Sequence, residues 1–130
     1  MRMSAKEYQQ LVGGKAAPSE SKMRNVRTVV DGITFDSRAE ANRYVELKAL
    51  MRSGEVRLFV RQPRFLLTPG FEKNGEWFGK TEYVADFLVI YADGRTVIED
   101  VKGRRTRMYI DKRKQFELKY PHLEIVEIQV

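Results

Sequence analysis

Tyr83-Val84-Ala85-Asp86-Phe87, then Ala92-Asp93-Gly94-Arg95, then Ile98-Glu99-Asp100-Val101-Lys102-Gly103 is the stretch that decides the fold of this chain. The flanking runs, roughly Glu82 to Tyr91 and Thr96 to Val101, read as β-strands, and Asp93-Gly94 carries the signature of a two-residue hairpin between them. Side chains alternate faces along a strand, so Asp100 and Lys102 share one face while Glu99 and Val101 take the other. Asp86, on the partner strand, can face the same side as Asp100. Two carboxylates and an ammonium held this close are costly unless a further group, such as a divalent cation, joins them. Asp86 also interrupts the apolar run from Val84 to Ile90, the pattern of a strand covered on both faces, where an unsatisfied carboxylate is expensive.

Working outward, Val56 to Val60 and Phe65 to Thr68 are strand-like runs separated by Arg61-Gln62-Pro63, whose proline marks an edge or a bulge. Pro69 to Gly79 reads as a loop that holds Trp77. Before these, Val26 to Val30 and Ile33 to Phe35 form a small hairpin around Asp31-Gly32. Asp36-Ser37 then opens a helix that runs to about Arg52 and stops at Gly54. At 100° per residue Tyr44, Leu47 and Met51 lie within roughly 40° of Glu40, with Ala41 and Leu50 flanking, so Glu40 sits near the centre of the buried stripe. After Lys102 a basic connector, Gly103-Arg104-Arg105-Thr106-Arg107, leads to a second helix from about Ile110 to Tyr120, ended by Pro121. Leu123 to Ile128 alternates as a closing strand. The order helix, antiparallel strands, helix, strand predicts an α/β fold with a mixed central sheet flanked by helices. Residues 1–25 are polar, with Gly13-Gly14 and Ala16-Ala17-Pro18-Ser19 as breakers, and are expected to form a mobile basic arm ahead of a domain over 26–130.

Composition narrows the chemistry. The 130 residues suffice for one core without disulfides. The absence of cysteine excludes thiol catalysis and cysteine-zinc sites, and a single histidine, His122 beside Pro121, argues against histidine-rich metal sites and Ser-His-Asp triads. A net charge of +6 favours a polyanionic partner, nucleic acid first. No apolar run reaches membrane-spanning length and Met1-Arg2-Met3-Ser4 opens no signal-peptide core, so a cytoplasmic protein with no membrane partner and no organic cofactor is expected.

Phosphodiester hydrolysis requires neutralising charge on the transferring group, activating water and stabilising the leaving oxygen. Divalent cations serve all three, and Asp and Glu oxygens suit Mg²⁺, with Mn²⁺ as a substitute. Asp86 and Asp100 would be the principal ligands, with the Val101 carbonyl as a third oxygen. Lys102 would orient or help deprotonate the attacking water, and Glu40 would complete the site from the helix.

Asp86 followed by Asp100-x-Lys102 on the next strand, preceded by a helix-borne Glu40, resembles the PD-(D/E)XK nuclease superfamily. The match extends from about Val26 to Val130. It is most similar to small phage and prophage proteins related to transposon-end-cleaving endonucleases, through Ser37-Arg38-Ala39-Glu40, Gln62-Pro63, Tyr83 to Phe87 and Glu99 to Gly103. Ala85-Asp86 stands where the superfamily's name has Pro-Asp. The resemblance implies a restriction-endonuclease-like α-β-β-β-α-β core and Mg²⁺-dependent DNA endonuclease activity leaving 5′-phosphates. It also allows a homodimer, since some members are dimeric junction resolvases, and a host-cytoplasmic location if the protein is phage-encoded.

Each residue also has a plainer role. Asp100 and Lys102 alone could be a cross-strand ion pair. Ser37-x-x-Glu40 is a capping box, which leaves Glu40 with a cap role and a site role. Glu99, on the opposite face, suits an arginine partner. Gln62 could position water or phosphate as an auxiliary, or only satisfy backbone beside Pro63. Arg104, Arg105, Arg107, Lys112 and Lys114 are the DNA-binding candidates, although charge runs are commonly solvated faces. Tyr109 and Trp77 suit core or loop packing better than base stacking. No base-reading module is evident, so substrate choice would rest on DNA structure, with branched or replication-intermediate DNA expected. The alternative reading is a non-catalytic DNA-binding accessory protein on the same scaffold, and a third is a protein-interaction module docking through residues before Val26.

Overall fold

The structure, a computed structural model, describes residues 26–102 and 104–129. The expected arm over 1–25 lies outside the described residues. The described residues fall into two compact units, one up to Ala49 and one over Leu50–Gln129.

In the first unit β1 (Thr28–Val30) pairs antiparallel with β2 (Ile33–Phe35). Their turn has Asp31 at φ 53° and Gly32 at φ 75°, the double left-handed conformation that matches strand twist in a two-residue hairpin. Helix α1 (Arg38–Ser53) follows and buries Glu40, Ala41, Tyr44 and Leu47. The hairpin is tied to it: Tyr44 Oη and Lys48 Nζ both donate to Asp31 Oδ2, at 3.0 and 2.7 Å, and the Phe35 and Tyr44 rings meet at 5.1 Å. Met51, expected on the buried stripe, is 42% exposed. It occupies the last turn, where the chain leaves the helix at Gly54 (φ 86°), so its face of the helix is no longer covered.

The second unit is built on a mixed four-stranded sheet of order β10-β9-β8-β3, from β3 (Val56–Arg61), β8 (Phe87–Tyr91), β9 (Thr96–Lys102) and β10 (Glu124–Gln129). β10 runs parallel to β9 and the other pairings are antiparallel. The α/β class, the mixed sheet and two helices among the described residues agree with the sequence. Helix α2 (Arg107–Lys119) begins three residues before the expected Ile110, because Thr106 caps it by accepting the Tyr109 N–H at 3.1 Å. Its Tyr109 and Phe116 pack with Leu67, Tyr83, Ala85, Ile98 and Ile125 as the core on one face of the sheet.

Three local expectations change. The single strand over Glu82 to Tyr91 is two, β7 (Thr81–Val84) and β8, broken at Ala85-Asp86. Opposite the break, Gln62-Pro63 separates β3 from β4 (Arg64–Thr68), which pairs with β7. The register is kept across the gap, Arg61 facing Phe87 and Arg64 facing Val84, so the proline marks a kink without an inserted residue. Pro63 has no N–H to donate, and Gln62 takes a left-handed φ of 51°. The β8–β9 connection is a three-residue loop, not a two-residue one: Tyr91 N–H bonds Arg95 C=O at 2.9 Å and Gly94 takes φ 91°. The expected loop after Pro69 contains a third hairpin, β5 (Phe71–Lys73) and β6 (Glu76–Phe78), turning at Asn74-Gly75, with Trp77 67% exposed.

Candidate functional site

The kink at Gln62-Pro63 and the break at Asp86 are the same event seen from two strands, and together they form one wall of the site. With the strand broken between β7 and β8, Asp86 sends its backbone to both neighbouring strands: its N–H donates to Glu99 C=O at 3.1 Å and its C=O accepts the Gln62 N–H at 2.9 Å. One residue beyond the paired Phe87 and Glu99, Asp86 therefore comes up beside Asp100. Its Oδ2 accepts the Val101 N–H at 2.7 Å, which fixes the carboxylate against β9.

Asp100 is 2% exposed and Asp86 9%. Burial, then the negative charge of Asp86, raises the Asp100 carboxyl to about 7, against the opposing pull of Lys102 and Tyr83. Tyr83 donates its hydroxyl to Asp100 Oδ2. Burial and the adjacent Asp100 push the Tyr83 phenol far upward, so it remains a donor. Lys102 Nζ lies 3.7 Å from Asp100 Oδ1. Asp86, Asp100 and Lys102 are thus brought together.

On the other side of Asp100 the parallel register sets Glu127 of β10. It is a third carboxylate in the row but is already engaged: Arg105 donates to Oε1 at 2.7 Å, and Tyr109 Oη and Arg113 donate to Oε2 at 2.7 and 2.8 Å. The Arg105 hydrogen bond first, then Tyr109, holds its carboxyl below the usual range. Among the described residues no group of three or more Asp, Glu, His or Cys gathers as a cation site. The acidic donors on this sheet face are therefore the Asp86–Asp100 pair.

The remaining candidates are placed as follows. Glu40 is 3% exposed on the first turn of α1, in the other unit, and its N–H donates to Ser37 Oγ at 3.1 Å, so Ser37 is the helix cap. Gln62 has an exposed side chain and contributes its backbone N–H to Asp86. Glu99 is buried on the opposite face and accepts from Tyr91 Oη at 3.3 Å. Arg104 is exposed, while Arg105 is occupied by Glu127. Arg107 and Lys114 sit roughly 160° around α2 from the Tyr109–Phe116 stripe, on the outward side, and Lys112 flanks the stripe within roughly 60°. Arg107 is 91% exposed, with Asp111 at 3.8 Å.

Tyr83, Tyr109 and Glu127 were not singled out from sequence as site residues. Alternation along Leu123 to Ile128 does put Ile125 and Glu127 on one face, but the parallel register that sets Glu127 beside Asp100 leaves no local mark. No helix among the described residues is long and apolar enough to cross a membrane.

A family model described as "Protein of unknown function (DUF1064)" matches residues 20–129. No curated protein matches the chain. The match spans both units and every residue of the site, and the chain belongs to the DUF1064 family.

Proposed function

We propose that the protein is a divalent-metal-dependent DNA endonuclease, with Asp86, Asp100 and Lys102 at its chemical centre. The observation that carries this reading is the buried Asp86–Asp100 pair at neighbouring positions of adjacent strands, with the Lys102 ammonium 3.7 Å from Asp100 Oδ1. A binding-only domain would gain stability by replacing such a pair with apolar side chains, so its retention favours chemistry.

The donor set fits a hard divalent cation. Asp86 and Asp100 supply oxygens whose mutual repulsion a cation relieves, and Asp86 is already oriented by the Val101 N–H. Asp86, Asp100 and the Val101 carbonyl would hold Mg²⁺ or Mn²⁺. When bound, the ion supplies charge neutralisation at the scissile phosphate and lowers the barrier to deprotonating water.

The chain's own groups do the rest. Lys102 presents its ammonium next to Asp100, where it offsets charge gathering on the phosphate oxygens and orients the attacking water. Tyr83 keeps one Asp100 oxygen fixed. Water attacks phosphorus in line with the departing 3′ oxygen, the P–O3′ bond breaks, and the products are a 5′-phosphate and a 3′-hydroxyl. The net charge of +6 and the exposed Arg104, with Lys112 beside the core stripe, supply contacts to the DNA backbone. This is the core of a PD-(D/E)XK nuclease acting on DNA by structure, with branched or replication-intermediate DNA as the substrate class.

The test is incubation of the protein with linear, supercoiled and four-way-junction DNA in Mg²⁺, Mn²⁺ or EDTA. Cleavage abolished by EDTA and by Asp100→Asn is the expected result. Binding without nicking under every condition would replace this reading with a non-catalytic DNA-binding role.

A further inference from the structure

The Lys102 ammonium is held by more than Asp100. At 3.7 Å its contact with Asp100 Oδ1 is longer than a charge-assisted hydrogen bond, and a lysine stem is flexible enough to swing free of so loose an anchor. A second surface limits it: Nζ stands 4.1 Å from the centroid of the Tyr109 ring, well within the range where the ring quadrupole attracts a cation.

Tyr109 is itself immobilised from several directions. The Thr106 cap fixes its backbone at the start of α2, its ring sits 6.3 Å from that of Tyr83 in the core, and its hydroxyl donates to Glu127 Oε2 at 2.7 Å. Glu127 is clamped in turn by Arg105 from the connector and Arg113 from α2. A continuous set of contacts thus runs from β10 through the Tyr109 ring to the Lys102 head.

We infer that Tyr109 is a positioning residue for Lys102, its ring face seating the ammonium, and that Glu127, held by Arg105 and Arg113, sets the angle of that ring. The inference rests on the reading of Lys102 as the amine of a nuclease centre. It gives Arg105 and Arg113 a supporting role behind the site. It also explains why a carboxylate in register with Asp100 is kept out of the acidic pair: Glu127 orients the tyrosine that orients the lysine.

Two readouts on the full chain test this separately from the nuclease reading. In NMR spectra without metal, the ring current of Tyr109 shifts the Lys102 ε-methylene protons upfield. The shift persists in Tyr109→Phe, which keeps the ring, and is lost in Tyr109→Leu. In Mg²⁺-dependent cleavage of the DNA, Tyr109→Phe stays within about threefold of the parent in kcat, and Tyr109→Leu falls about tenfold with KM unchanged. Glu127→Gln, which preserves volume, gives a partial loss of both shift and kcat, and decides the matter if Tyr109→Leu does not fold. An unshifted Lys102 in the parent protein, or full kcat in a folded Tyr109→Leu or in Glu127→Gln while Lys102→Ala is inactive, overturns the inference. Full cleavage by Lys102→Ala sinks the role given to Lys102 instead, and the NMR shift then decides alone whether the ring seats the amine.

Discussion

Asp86 and Asp100 lie side by side because a strand breaks. Asp86 follows the kinked pairing of Gln62-Pro63 with Ala85-Asp86, and its Oδ2 takes the Val101 N–H at 2.7 Å, directing its charge at the next carboxyl along β9. The pair destabilises the metal-free fold and is the proposed cation site.

The first consequence is a pH dependence of metal-free stability opposite to that of a salt-bridged aspartate. Asp100 is raised to about 7 in the folded state, against about 4 in an unfolded chain. Between these values the native state holds a proton that the unfolded state has lost, so stability falls as pH rises from about 4 to 7 and levels off above. The loss amounts to about 2–4 kcal/mol. Urea unfolding in EDTA at pH 5 and pH 8 measures it, and Asp100→Asn removes the slope and is the more stable protein at pH 8. Equal stability of the parent protein at the two pH values would contradict the raised Asp100 carboxyl.

Cation binding is linked to the same proton. A divalent ion between Asp86 and Asp100 needs both carboxylates ionised, so Mg²⁺ uptake at pH 6 releases about one proton and at pH 8 nearly none. Calorimetry in buffers of different ionisation heat reads that difference. Asp86→Asn and Asp100→Asn each abolish the Mg²⁺-dependent rise in melting temperature. Proton release independent of pH would show that Mg²⁺ binds elsewhere.

Local signals made much of this legible. Asp31-Gly32 and Asp93-Gly94 mark their hairpins, Gly54 stops α1, and the period-two alternation around Asp100 and Lys102 puts both on one face. Asp86 was legible as a carboxylate in the wrong place, but its apolar neighbours made Glu82 to Tyr91 look continuous. Only the pairing with Pro63, some twenty residues earlier, exposes the break. Asn74-Gly75 takes the same double left-handed turn as Asp31-Gly32, yet Pro69, Gly70 and Gly79 around it read as loop. Tyr83, Tyr109 and Glu127 reach the site through a β9–β10 parallel register and the seating of α2. Those are tertiary choices with no periodic trace in the residues themselves.

The start of α1 gives a separate test of the helix cap. The cap is made by Ser37 Oγ and the Glu40 backbone N–H, so Glu40→Gln leaves it intact while Ser37→Ala removes it. Ser37→Ala is expected to cost about 1 kcal/mol of stability with kcat unchanged.

Gln62 offers the reverse case. It holds φ at 51°, a region a glycine occupies without strain, and its contact with Asp86 is through the backbone. Gln62→Gly should retain cleavage within about twofold and leave stability within about 1 kcal/mol, strain relief offsetting the added chain entropy. A loss of cleavage beyond tenfold with Asp86 still able to bind Mg²⁺ would give the Gln62 side chain the auxiliary role instead.

The basic connector divides in the same way. Arg104 is exposed, while Arg105 spends two guanidinium hydrogen bonds on Glu127, at 3.2 and 2.7 Å. Removing Arg104 should lower the slope of log affinity against log salt for DNA by about one, as the loss of one phosphate contact does. Arg105→Ala should leave that slope unchanged and cost about 1 kcal/mol of stability, because the bridge is half exposed and Arg113 and Tyr109 still hold Glu127. Fluorescence anisotropy across a salt series, paired with urea unfolding, measures both. If Arg105→Ala lowers the slope as Arg104→Ala does, its guanidinium leaves Glu127 when DNA binds, and Glu127 is then held by Arg113 and Tyr109 alone at the moment of cleavage.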